Sequence, residues 1–502
     1  MFKPLLRAAA PLLLLAPVPL GAQQPAPITA ADMLRHIQVL ASDEYQGRAP
    51  ASEGERLTTT YISEQLRSRG LEPAGEGGTW LQPVGLVERT TRSQEVSWTV
   101  NGRKLPFDQS NVALQGRDPD VRTTDAPVVF AGHGARIPER GIDQLAGANM
   151  TGAVVIILFD APDVPGFPSF TQRVRAVTDA GAAAVVALTG TDLQWSFITA
   201  NYRSPTTKLA SQTVAPVVGA MPLTAARALF AAAGANLDNL LNDQPGSSFR
   251  AVSLPLRASL HVATDVRNVT TNNVVGRIRG SASSGESVMF LGHWDHFGLC
   301  RPEGVADRIC NGAVDNASGI AMMIEVAGRL AAGPRPARDI LVLATTAEEE
   351  GLLGAEYFAG HPVVPLGSIV AAINLDTVAV APAGEPVAIL NRSVPALNAL
   401  VESTATGLGR RMDTAHEADI MVQRQDGWAL ARHGVPAIMV GGSFASMARL
   451  NAFLRGRYHQ PSDQADGQIE MGGATEDANL LVALGRRLAD PAAYTRPQRT
   501  AE

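Results

Sequence analysis

The strongest constraint on this chain is a rhythm that sets in after about residue 256. Short apolar runs at 287–292, 339–344, 369–374 and 436–440 alternate with amphipathic stretches at 319–330 and 351–358. Short apolar runs bounded by turn residues read as buried strands, and stretches with three-to-four spacing read as helices. Strands that alternate with helices predict an α/β class: a mainly parallel-type mixed sheet flanked by helices.

The residues that leave those runs carry the chemistry. The first run ends in His293-Trp294-Asp295-His296, the second in Glu348-Glu349-Glu350, and the third in Asp376. Asp315 stands just ahead of the 319–330 helix, and Tyr458-His459 adds an imidazole near the C-terminus. In open α/β sheets, ligands bind beyond the carboxyl ends of the strands. Each residue alone has an ordinary structural role. Asp315 reads as a helix N-cap, the glutamates as complements to a helix dipole, Asp376 as a turn residue and His459 as a packing partner of Tyr458. Those roles leave the gathering at neighbouring strand ends unexplained. Two histidines and three carboxylates suit two zinc ions that share one bridging carboxylate. Without cations, converging carboxylates would take up protons or spread apart.

The earlier part of the chain reads differently. Residues 28 to about 73 are expected to be helical with a break, with apolar spacing over 31–40 and again over 53–71. From about residue 116 the texture changes. Strands are expected at 128–132, 153–159, 181–190 and 216–219, and helices at 172–180 and 222–234. This stretch is self-contained and has no catalytic cluster.

The N-terminus pairs a basic start, Lys3 and Arg7, with the apolar run 8–20 and a small-residue site at Gly21-Ala22. That pattern predicts an export signal over 1–22 and a periplasmic or extracellular protein. No later segment has the length and apolarity of a membrane span, so no stable membrane insertion is expected after cleavage. Forty-two basic against 48 acidic residues give a net charge of −6, and no basic cluster stands out, which argues against a nucleic-acid partner. In an exported protein the two cysteines, Cys300 and Cys310, read as a disulfide, which removes thiolate chemistry.

The ordered set His293-x-Asp295, Asp315-Asn316-Ala317-Ser318-Gly319, Ala347-Glu348-Glu349, Asn374-Leu375-Asp376 and Tyr458-His459 resembles the M28 family of zinc aminopeptidases. The segment 41–75 resembles that family's entry segment, and about 118–255 resembles an inserted protease-associated (PA) domain. The resemblance implies a catalytic domain split into 28–117 and 256–495. It implies two Zn²⁺, with Asp315 bridging, His293 and Asp376 completing one site, and Glu349 and His459 the other. Glu348 would be the general base, taking a proton from a metal-bridging water and delivering it to the leaving amine. Asp295 would orient a ligand, and Tyr458 would hydrogen-bond the oxyanion. The implied substrates are peptides with a free N-terminus.

One stretch departs from the family pattern. Many members carry Ser-Asp-His before a final strand, whereas here only Asp426 of Gln425-Asp426-Gly427 fits, which leaves side-chain specificity open. His296, His416 and His433 are not expected to be ligands. Alternative readings keep the scaffold: a carboxypeptidase, with Arg424 and Arg432 as the nearby cations, a glutaminyl cyclase, or a non-catalytic binding protein. A complete second ligand set weighs against the cyclase, and the presence of every ligand weighs against the binding protein.

Overall fold

The computed structural model describes residues 25–162, 164, 166–190, 194–242 and 249–497. The export signal expected over 1–22 lies outside the described residues. The chain forms two compact units: one from the N-terminal part up to Gln82 with 273–345 and 358 onward, the other from 83–272 with 346–357.

The first unit is built on a sheet whose centre is parallel. Strand Ser287–His293 pairs in parallel with Asp339–Thr345 on one side and Ile369–Asn374 on the other, and Ile369–Asn374 pairs in parallel with Ala437–Gly441. Antiparallel partners close the two sides: Ala388–Leu390 beside Ala437–Gly441, and 274–278 beside 340–344. Period-2 geometry sends alternate residues to opposite faces. Val288 and Phe290 join the large core formed with helices Ala30–Leu40, Ser318–Ala331, Pro395–Gly407 and Met471–Leu488. Met289 and Leu291 join a second core with Leu341, Leu343, Ile369 and Leu430. Strands buried on both faces are apolar at nearly every position, which is why the sequence shows runs there rather than alternation. The helix Ser318–Ala331 is buried almost throughout, from Ser318 to Gly328. The break after the first helix is a short 3-10 stretch, Asp43–Arg48, before Glu53–Ser68.

The second unit has its own parallel strands. Asp120–Phe130, Val154–Leu158, Ala184–Thr189 and Val217–Pro222 run side by side in parallel. Two separate apolar clusters lie on the faces of this sheet, one with Phe130, Ile156 and Phe230, the other with Val155, Ile157 and Val177. Helix Phe170–Asp179 covers the second face, with Val177 buried against it. The turn 346–357 belongs to this unit because Ala347 and Leu353 pack with Val84, Leu86 and Val269.

Candidate metal centre

In the first unit, four of the expected ligands lie at the carboxyl ends of the parallel strands. His293 is the last residue of its strand, 1% exposed, and its Cα is in register with Thr345. Asp376 follows strand Ile369–Asn374 by two residues. Asp315 comes from the turn that enters helix Ser318–Ala331, and His459 from the loop after helix Met447–Gly456.

Their side chains converge on one carboxylate. His293 Nε2 lies 3.2 Å from Asp315 Oδ1 and 3.6 Å from Asp376 Oδ1, and His459 Nε2 lies 3.4 Å from Asp315 Oδ2. Asp315 Oδ2 is buried and accepts no hydrogen bond among the described residues. A buried carboxylate oxygen without a donor, facing an imidazole nitrogen at 3.4 Å, is the arrangement a cation would complete. Imidazole nitrogens and carboxylate oxygens are also the donor set that zinc takes. Burial alone would raise the Asp315 pKa, but the imidazoles of His293 and His459 beside it outweigh burial and hold the group well below the usual carboxylate range. Its backbone is likewise braced: Asp463, buried, accepts from the amides of Val314 and Asp315 at 3.1 Å. Burial pushes the Asp463 carboxyl up to about 6.

Asp315 does not cap the helix. Its φ of −108° and ψ of 96° turn it out of helical geometry, and Ala317 takes the N-cap position. The capping side chain belongs to Asn316, whose Oδ1 accepts from the amide of Gly319 at 2.9 Å. Asn316 Nδ2 also donates to the carbonyls of Leu375 and His293, at 2.9 and 3.3 Å. One amide therefore ties the Asp315 turn to the ends of two strands. Gly319 is required by the same approach, since a Cβ there would stand 2.2 Å from Asn316 Oδ1 and 2.3 Å from the Leu375 carbonyl oxygen. Arg48, 1% exposed, braces the other side, donating to the carbonyls of Trp294, Asn311, Gly312 and Leu40. Neither Asn316 nor Arg48 was legible as a support, because every one of these partners except Leu40 and Gly319 is distant in sequence.

The remaining expected residues are placed as follows. Asp295 is fully buried; His293 Nδ1 is 3.2 Å from its backbone oxygen and 3.8 Å from its carboxylate. Tyr458 stacks on His459, with ring centroids 3.5 Å apart, and Phe297 meets the same imidazole in an edge-type arrangement, with centroids 4.4 Å apart. Glu348 and Glu349 stand three and four residues beyond Thr345, in the turn that clusters with the second unit. That turn is not a first helical turn. Ala347 and Leu352 have positive φ, and the helix expected from Gly351 begins at Leu353. Glu350 is exposed. Asp426, 1% exposed, accepts a hydrogen bond from Thr345 at the strand end beside His293. Of the histidines set aside, His296 is buried 4.0 Å from Asp315 Oδ2 (Nδ1 to Oδ2), while His416 bonds Arg392 at the surface. Cys300 and Cys310 form a disulfide.

Comparison with known proteins supports the same reading. Residues 273–483 match the model of peptidase family M28. A probable zinc metalloprotease of Leptosphaeria maculans is 32% identical over 200 residues, 38% of this chain and 44% of the relative. A probable zinc metalloprotease of Pyrenophora teres f. teres is 36% identical over 111 residues, 22% of this chain and 23% of the relative. The chain thus spans less than half the length of these curated relatives. Among solved structures, an aminopeptidase from Aneurinibacillus sp. strain AM-1 has the same fold, with a TM-score of 0.54 at 18% identity over 94% of this chain and 97% of that one. All the strand-end residues described above fall within the stretch 273–483 that matches the model of peptidase family M28.

Proposed function

We propose that the protein is an exported di-zinc aminopeptidase that removes N-terminal residues from peptides. The observation that carries this reading is Asp315: a buried carboxylate between two imidazole nitrogens, with one oxygen that accepts no hydrogen bond among the described residues. Asp315 would bridge the two ions, with His293 and Asp376 on one and Glu349 and His459 on the other. Bound zinc would polarise the scissile carbonyl and lower the pKa of water.

The chain's own residues would do the rest. Glu348 leaves the strand that pairs with the His293 strand, and serves as the base that takes a proton from the attacking water and returns it to the departing amine. His293 keeps its ring orientation through Nδ1, which meets the Asp295 backbone oxygen at 3.2 Å, so Nε2 points to Asp315. Tyr458 would donate to the developing oxyanion. Residues 118–255 are proposed as a PA-like insertion and 1–22 as a cleaved export signal.

The test is release of p-nitroaniline from aminoacyl p-nitroanilides by metal-loaded protein, with and without a chelator, beside N-acetylated controls. Turnover of the free-amine substrate alone, abolished by chelation and restored by zinc, is expected. Equal turnover of blocked substrates, or none of any unblocked one with two zinc ions bound, would overturn the reading.

A further inference from the structure

The second unit contains a cavity of about 300 Å³, far in sequence from every residue assigned above. Three elements of that unit build it. Helix Phe170–Asp179 presents Thr171, Val174, Arg175 and Thr178, which share one face at three-to-four spacing. The opposite side of this helix is the one that enters the core, through Arg173 and Val177. The paired strands Thr206–Leu209 and 86–89 add Lys208 and Arg89, which lie on the same face because Arg89 pairs with Thr206 and Lys208 with Val87. Gln115 and Arg117 come from the strand edge beside Val218.

The lining is lopsided in charge. Arg89, Arg117, Arg175 and Lys208 face the cavity, and among the described residues no aspartate or glutamate lines it. Two of the cations are partly balanced outside it, Arg117 by Asp118 at 2.9 Å and Arg175 by Asp179 at 3.7 Å. No carboxylate lies within 4 Å of the Lys208 ammonium among the described residues, although Glu350 is near enough to feel its charge. Gln115 supplies a second sign. Its Nε2 is buried and donates to nothing among the described residues. Beside these groups stand Phe170, Val174 and Val218, which offer an apolar wall. A concave site with an apolar wall and a few converging donors takes a small ligand whose polar group matches those donors.

We propose that this cavity binds a small amphipathic carboxylate, with the anion toward Lys208, Arg89 and Gln115 and the apolar part against Phe170, Val174 and Val218. This site is independent of the peptidase reading. Two sources share its chemistry: a medium-chain fatty acid, and the C-terminus of a peptide with apolar last residues.

Isothermal titration of the full-length protein with octanoate, N-acetyl-Leu-Leu and 1-octanol distinguishes them. Saturable one-to-one binding of at least one carboxylate is expected, with no heat from octanol. Octanoate alone would indicate a fatty acid, and the acetylated dipeptide alone a peptide C-terminus. The variant Lys208→Gln replaces the proposed anion partner, exposed on its strand, and should raise Kd about tenfold or more through the lost charge-assisted bond. Its melting temperature guards against misfolding, and Thr178→Trp, which fills the cavity from an exposed helix face, should abolish binding without removing charge. Absence of binding by both carboxylates, equal binding of octanol, or affinities unchanged in both variants would each overturn the proposal.

Discussion

Asn316 is not among the expected ligands, yet it braces the turn that carries Asp315. Its one side chain satisfies the amide of Gly319 and the carbonyls of His293 and Leu375. Asn316→Ala removes three buried hydrogen bonds to backbone groups, at about 1–3 kcal/mol for each group that is left unpaired and that water cannot reach. The variant is expected to melt lower and to lose zinc to a competing chelator about 10–100-fold more readily. Unchanged metal retention would reduce Asn316 to a simple helix cap. Glu348→Gln should behave in the opposite way: both metals kept, and turnover down about 10²–10⁴-fold. Loss of zinc instead would mean that Glu348 and Glu349 exchange roles. The candidate ligands were legible because histidines and carboxylates at strand ends are conspicuous. The supports were not. An asparagine after an aspartate reads only as a turn, and its bonds reach residues 23 and 59 positions away.

At the scale of elements, a buried polar knot joins three helices of the first unit. Glu325 on helix Ser318–Ala331 accepts from Arg69 at 2.6 Å and meets His36 Nε2 at 2.9 Å, while His36 Nδ1 meets the Tyr61 hydroxyl at 2.6 Å. Arg329 adds a bond to the second carboxylate oxygen at 3.1 Å. Burial alone would raise the Glu325 pKa, but the bonds from His36 and Arg69 outweigh it and hold the carboxyl at about 2, below its ordinary 4.5. A depressed carboxyl stabilises the fold above its unfolded pKa and loses that contribution as pH falls through the folded one. The contribution is therefore full above pH 4.5 and fades toward pH 2, a span worth about 3 kcal/mol. Glu325→Gln should be less stable than the parent at pH 7 by a comparable amount, and the two should converge as the pH approaches 2. Denaturant unfolding across that range measures it, and a gap that persists at pH 2 would assign the loss to packing.

The elements themselves were read unevenly from the sequence, for physical reasons. Doubly buried parallel strands such as Asp339–Thr345 announce themselves as apolar runs. The 27-residue strand Val252–Ile278 does not, although Leu254, Leu256, Ala258, Leu260 and Val262 point inward. Pro255 interrupts it, and the pairing register shifts between Leu254 and Arg257, where proline has no amide to give the ladder. The helix expected from Gly351 begins two residues later, at Leu353, because Leu352 itself takes a positive φ, a conformation that no glycine marks at that position.

For the whole molecule, the decisive fact is that each unit has its own core. The first buries its apolar residues on the two faces of the sheet that ends at His293, and the second on the two faces of the sheet through Val154–Leu158. The texture change near residue 116 hinted at a second body, but the turn 346–357 is bound to it by Ala347 and Leu353, a tertiary fact that no local pattern carries. Zinc held by the proposed ligands would stabilise the folded protein by mass action. At a free zinc concentration of about 1,000 Kd the metal is worth roughly 4 kcal/mol, so chelation of the metal-loaded protein should lower its calorimetric melting by several degrees. Asp315→Asn should reproduce the chelated profile and make it indifferent to added zinc, because the carboxylate on which His293 and His459 converge is lost. An unshifted profile on chelation would mean that these residues do not hold the metal.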